Sequence, residues 1–250
     1  TRYEDVVMYT GNAASSAGVK CSQNNTWNYS QEVAFPFGYG ESYTDFAYSD
    51  FSVKSSGDTY EVSVTVTNTG DVAGKTPVQV YLQKPYTEYD KEVGIEKASV
   101  ELVGFTKTDL LQPDQSETYT IPVKAEEFKT YDANGHKTYI LEKGDYYLAT
   151  GTDAHDALNN ILAAKGYDKD DGMVDSLGNS ADGNRQFANK ITVSSDDFTK
   201  YSKSTVTDYA ITNQYDDADI NKYEGTENME VTYLSRSDWQ GTYPQSFYKM

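Results

Sequence analysis

From Phe46 onward apolar and polar residues alternate. In YEVSVTVTN, residues 60–68, Tyr60, Val62, Val64 and Val66 share one face, while Glu61, Ser63, Thr65 and Thr67 share the other. A period of two built from β-branched residues predicts a strand buried on one side. The run NTGDVAG at 68–74 has turn chemistry, and PVQVYL at 77–82 alternates again. Further short strands are predicted at 99–105, 117–123 and 145–151. Pro113 and Asp114 are placed to initiate the turn at 110–117. Asn134-Gly135 is a hairpin signal, because both residues tolerate positive φ. Strands at this regular spacing predict a seven-strand-like antiparallel β-sandwich over residues 46–151.

The period then changes. Ala154, Ala157, Leu158, Ile161 and Leu162 follow helical spacing and form one apolar stripe. Thr152 or Asp153 can cap the start of this short helix, and Gly166 can end it. Residues 1–33 read as an irregular flank with small-residue clusters, and residues 167–190 as surface loop rich in Asp, Gly and Asn. Residues 191–250 hold scattered apolar positions without a sustained period, which predicts an extended arm draped over another surface.

Composition narrows the function classes. A formal net charge of −18 repels phosphate backbones and anionic headgroups, arguing against nucleic-acid and membrane-surface roles. No apolar run reaches the length of a spanning helix. Aromatic residues make up 14% of the chain, 23 of them tyrosines, which suits sheet surfaces and docking faces. Cys21 is the single cysteine, so neither an internal disulfide nor a thiolate metal cluster is expected. The lone thiol leaves the compartment open between cytoplasmic and secreted. The chain starts at Thr1 and ends at Met250 after an aromatic-rich stretch, as a piece of something longer would.

FPFGYGESYTDF, residues 35–46, resembles the stretch that leads into the fibronectin type III-like domain of glycoside hydrolase family 3. Glu41 stands where leucine is commoner in that family. VTVTNTGDVAGKTPVQVYL and ELVGFTKTDLLQPDQSETYTI resemble the following strands, in the right order, so the similarity runs through most of residues 34–151. TRYEDVVMYTGNA at the start resembles the end of the family's α/β sandwich domain. DAHDALNNILAAKGY and LSRSDWQGTYP resemble members with reversed domain order, in which the (β/α)8 barrel comes last.

The resemblance implies three parts. Residues 1–45 would be the tail of the α/β domain with a linker, 46–151 a fibronectin type III or immunoglobulin-like sandwich, and 152–250 a helix with an arm leading to the barrel. It implies a bacterial enzyme that hydrolyses β-glucosides or related β-glycosides with retention, using two carboxyl groups about 5–5.5 Å apart. The segment's partners would be the rest of that glycosidase, with β-linked sugars reached through it and no cofactor. A free-standing β-sandwich module for carbohydrate binding or adhesion is the alternative.

The candidate site residues need weighing one by one. The family nucleophile is an aspartate in a Ser-Asp-Trp context at the end of a late barrel strand, which Ser237-Asp238-Trp239 matches in three residues. Catalytic residues of a barrel sit at the C-terminal ends of its strands, and no βα repeats precede Asp238. The preferred reading is that Asp238 pairs with Arg236 or caps a turn, while Trp239 packs on a neighbouring domain. No acid/base partner is assigned.

Trp27, Tyr29 and Trp239 are candidates for stacking on sugar faces or for docking. His136 and His155 lack a third ligand at metal spacing and are read as surface or packing residues. DKDDG at 168–172 fails the EF-hand template, because Gly172 and Met173 occupy its fifth and sixth positions. This run and YDDAD at 215–219 are read as solvated acidic loops. The Gly38–Gly40 pair is read as a backbone bend.

Overall fold

The computed structural model describes residues 33–214 and Ala218. Strands β1 (Phe46–Ser56), β2 (Thr59–Asn68) and β5 (Ser116–Lys124) form a three-stranded antiparallel sheet in the order β1-β2-β5. Strands β3 (Pro77–Gln83), β4 (Glu101–Lys107), β8 (Gly144–Gly151) and β9 (Ala188–Val193) form a second sheet in the order β4-β3-β8-β9. A short ribbon pairs β6 (Thr130–Asp132) with β7 (Thr138–Ile140). Helices α1 (Glu88–Val93) and α2 (Ala154–Ala164) complete the architecture among the described residues.

The alternation along β2 becomes burial. Val62, Val64 and Val66 face Val78, Val80, Leu82, Ile121, Val123, Tyr146 and Leu148 in one core shared by both sheets. Their neighbours turn outward, where Ser63, Thr65 and Thr67 join Thr120, Thr118 and Ser116 of β5 through hydroxyl hydrogen bonds of 2.8, 2.8 and 2.7 Å. These are directly opposed positions in the register, so cross-strand pairs reinforce the ladder.

The second sheet is covered on both sides. Val78, Val80 and Leu82 point into the sandwich, while α2 lies over the opposite face, packing Ile161 on Tyr147 and Ala149. Gln79, Tyr81 and Gln83, polar enough to predict a wetted face, are therefore buried too. Asp153 caps α2 by accepting from the Asp156 N–H at 2.9 Å.

Several sequence expectations change in detail. The sandwich has seven strands, but residues 46–151 supply six of them, and β9 comes from beyond α2. The extended arm therefore begins as a sheet edge. Ile191 and Val193 at the core rim explain why. One short helix was expected, and α1 is a second, with a capping box in which Thr87 and Asp90 satisfy each other's backbone N–H groups. Part of the expected loop at 167–190 is anchored, because Met173 is buried against Leu158 and Leu162.

The hairpin at 133–137 forms for a different reason from the one expected. Positive φ falls on Lys137, not on Asn134 or Gly135. Gly135 is needed because a Cβ there would collide with the Tyr89 hydroxyl and the Asp132 carboxylate. At 112–115 the turn is as expected: Gln115 N–H donates to Gln112 O at 3.0 Å, and Asp114 takes φ 62°.

Candidate functional site: an aromatic loop seated on the sandwich

The FPFGYG segment lies against the covered face of the second sheet and is held by its backbone. The Ala154 N–H at the start of α2 donates to Phe37 O at 2.9 Å. Gln79 Nε2 donates to Gly38 O at 3.0 Å and to Thr152 O at 3.1 Å, while Tyr81 Oη donates to Gln79 Oε1 at 2.8 Å. The reading of Gly38 as a bend residue gains a second reason. Its φ is 85°, and a Cβ would collide with both Gln79 Oε1 and Tyr81 Oη. Burial, assisted by the nearby Asp153 carboxylate, pushes the Tyr81 hydroxyl well above the usual tyrosine range, so it stays a neutral donor. At the loop's far end Thr44 Oγ1 donates at 2.7 Å to Asn68 Oδ1, and the fully buried Asn68 amide donates to Val72 O and Leu111 O.

With its backbone bound inward, the loop turns its rings outward. Phe35 and Phe37 are each 66% exposed, and Tyr43 is fully exposed. Phe35 stacks on Tyr39 with centroids 4.9 Å apart. Four exposed aromatic rings therefore lie within nine residues of a fixed backbone.

A second polar centre sits at the corner between α1 and the β7–β8 connection. Lys97 Nζ donates to Asp90 Oδ2 at 2.7 Å, to Pro85 O at 2.8 Å, and to Glu142 Oε2. Asp90, Lys97 and Glu142 are 0, 6 and 3% exposed. Burial raises the Glu142 carboxyl above its usual range, against the opposing pull of the Lys97 ammonium. The capping pattern Thr87-Glu88-Tyr89-Asp90 was the sequence signal for this corner. Its buried lysine had none, since a single Lys in a polar stretch looks solvated.

His136 belongs to a third cluster, with Nδ1 3.0 Å from Asp132 Oδ2 and 2.9 Å from Tyr89 Oη, and its ring stacks on Phe198 at 4.0 Å. Burial would raise the Asp132 carboxyl. Hydrogen bonds from Tyr89, from the His136 and Gly135 N–H groups and from the His136 ring outweigh it, leaving the pKa at about 2. His155 is buried, with Nε2 2.7 Å from Val174 O, and ties the 167–187 segment to α2. In the acidic run, Asp168 and Asp171 cap their own short turn by accepting backbone N–H groups. No group of three or more His, Cys, Asp or Glu among the described residues is arranged to hold a metal ion. Trp27, Tyr29, Asp238 and Trp239 lie outside the described residues, as does nearly all of the 215–219 run.

The two packed antiparallel sheets make this a β-sandwich, and residues 76–154 match the family described as fibronectin type III-like domain. The chain is similar to β-glucosidase A of Butyrivibrio fibrisolvens, with 35% identity over 144 residues, 50% of this chain and 17% of that protein. It is 37% identical over 129 residues to a β-glucosidase of Ruminococcus albus, covering 50% of this chain and 13% of that one. Among solved structures, β-glucosidase 3B of Thermotoga neapolitana aligns with a TM-score of 0.47 at 26% identity, covering 66% of this chain and 18% of that one. A fibronectin type III-like domain over residues 76–154 and similarity of about half of the chain to these β-glucosidases are consistent with a segment of glycoside hydrolase family 3. The chain spans less than a fifth of the length of these relatives, which does not favour the free-standing module.

Proposed function

We propose that this chain is the non-catalytic scaffold portion of a family 3 glycosidase that hydrolyses β-glucosides or related β-glycosides with retention. The observation that carries the reading is the seated loop: a fixed backbone aims Phe35, Phe37, Tyr39 and Tyr43 away from the sandwich. Their occupant is the neighbouring catalytic domain of the same enzyme. The length of the relatives beyond the matched stretch supports this choice.

Under this reading residues 1–45 end the preceding α/β domain, 46–151 together with β9 form the brace, and the chain beyond β9 leads to the barrel. Retention needs one carboxylate to attack the anomeric carbon and a second carboxyl to protonate the leaving group. Both belong to the flanking domains. The scaffold contributes the relative placement of those domains, to which reaction geometry is sensitive at the ångström level. Asp238 marks the junction with the barrel and does not act as nucleophile.

The test is to assay the isolated chain on an aryl β-glucoside beside the full-length parent. The isolated chain is expected to show no turnover, and turnover abolished by Asp238→Asn would overturn the scaffold reading. In the parent, Phe35→Ala with Phe37→Ala should lower activity and loosen domain association. An unchanged parent would remove the loop from the interface.

A further inference from the structure

The chain carries 39 acidic and 21 basic residues, yet one cleft gathers positive charge. It has a volume of about 470 Å³ and is lined by Tyr147 of β8, Ala164 at the end of α2, Arg185 and Gln186 of the short turn before β9, and Ala188 and Lys190 of β9. Lys165 adds a third cation beside the cleft, its ammonium 5.1 Å from the centre of the Tyr147 ring and donating to Gln83 Oε1.

The local carboxylate is Asp145, which accepts from Thr192 Oγ1 at 2.6 Å and from Lys190 Nζ at 3.3 Å. Arg185 makes no ion pair with a carboxylate among the described residues, although carboxylates outnumber cations along the chain. Lys190 and Lys165 act on Asp145, Arg185 lines the same cleft, and among the described residues no carboxylate pairs with the arginine fork. At physiological salt, fields fade over about 8 Å. The potential in the cleft is then set by these neighbours rather than by the distant negative surface.

We propose that this cleft binds a small carboxylate of monosaccharide size, with Arg185 gripping the carboxylate through two parallel N–H donors. A planar guanidinium matches a carboxylate in this way, whereas an ammonium acts as a point charge. Lys190 and Lys165 supply the surrounding potential. Gln186 can offer its amide to a ligand hydroxyl, and Ala164, Ala188 and Tyr147 line the rest of the cleft. The volume falls in the range of small-ligand sites, about 300–1,000 Å³. The site stands on its own residues and does not depend on the scaffold reading.

The test is a 1H–15N NMR titration of the full 250-residue chain with glucuronate, glucose and acetate in parallel. Glucuronate is expected to shift the amides of residues 185–190 and the Arg185 side-chain resonance, with weaker binding as sodium chloride is raised. Arg185→Gln should weaken it about tenfold, the loss of one charge-assisted pair, and Lys190→Gln about threefold. Both side chains are exposed, so neither change should move the thermal midpoint. Glucose binding as tightly as glucuronate would overturn the carboxylate assignment. Acetate binding as tightly would overturn the monosaccharide-sized ligand. Absent shifts, or shifts indifferent to Arg185→Gln, would overturn the site.

Discussion

The loop from Phe35 to Tyr43 spends its polar groups inward and shows its rings, whereas the corner around Lys97 buries full charges behind a short helix. The loop's backbone groups find Gln79, Tyr81 and the first turn of α2, so its conformation is held by hydrogen bonds together with the buried Pro36. At the corner, desolvation of the buried charges is offset by mutual pairing, by Pro85 O and the Thr87 N–H, and by the Thr87 hydroxyl, which donates to Glu142 Oε1 at 2.8 Å. One region is built to present a surface, the other to hold a joint closed. Substitutions in the corner should therefore register in stability, and those on the rings in association.

The largest effect is expected from Lys97→Met, which leaves Asp90 and Glu142 buried without their cation. Urea unfolding should show a loss of about 4 kcal/mol at neutral pH. The sign of its pH dependence is also set. A carboxyl whose folded-state pKa is raised favours the folded state when protonated, and removing the ammonium raises Glu142 further. The deficit should therefore be larger at pH 8 than at pH 4.5. An equal deficit at both would remove the charges from the explanation.

Asp132→Ala should cost about 3 kcal/mol, because several hydrogen bonds converge on a carboxylate out of solvent. The folded-state pKa of Asp132 is depressed to about 2 from 3.8. Its contribution is present above about pH 4 and lost as the pH falls from there toward 2. The gap between Asp132→Asn and the unaltered chain in unfolding experiments should accordingly narrow across that window.

Gly38→Ala comes next, at about 2 kcal/mol, from positive φ and the collision with Gln79 and Tyr81. It sharpens the comparison, because a strained loop should lose its fixed aromatic face while the Lys97 corner stays intact. Hydrogen exchange at residues 36–39, measured against 87–97, would separate the two.

The smallest change in stability belongs to Phe35→Ala and Tyr43→Ala, within about 0.5 kcal/mol because the rings are exposed. A larger loss in the isolated chain would mean that the rings support the fold rather than a partner.

The strands that could be read in advance are those whose pattern and burial agree. β2 is the clearest case, since Val62, Val64 and Val66 face the core and the hydroxyl residues between them face out. β9 was hidden because ANKITV carries only Ala188, Ile191 and Val193 as apolar residues and pairs at a sheet edge, where one neighbour suffices. α1 was hidden by its six-residue length, although its capping box is written in the sequence. FPFGYG drew attention through resemblance and its glycines. That Phe35 and Tyr43 face outward depends on Gln79, Tyr81 and Ala154, which lie 35 residues or more further along the chain.

The cationic cleft had no local signal. Tyr147, Lys165, Arg185 and Lys190 are separated by stretches of different structure, and the β8–β9 pairing and the end of α2 bring them together. Alternation, turn chemistry and the helical stripe by themselves determined a β-sandwich followed by an amphipathic helix, because a period of two and a period near 3.6 dictate which side chains share a face. Which polar residues are buried, where Lys97 finds its carboxylates and where the aromatic rings emerge were decided by tertiary structure alone. Those outcomes depend on what covers the second face of a sheet, and that partner lies far away in the chain.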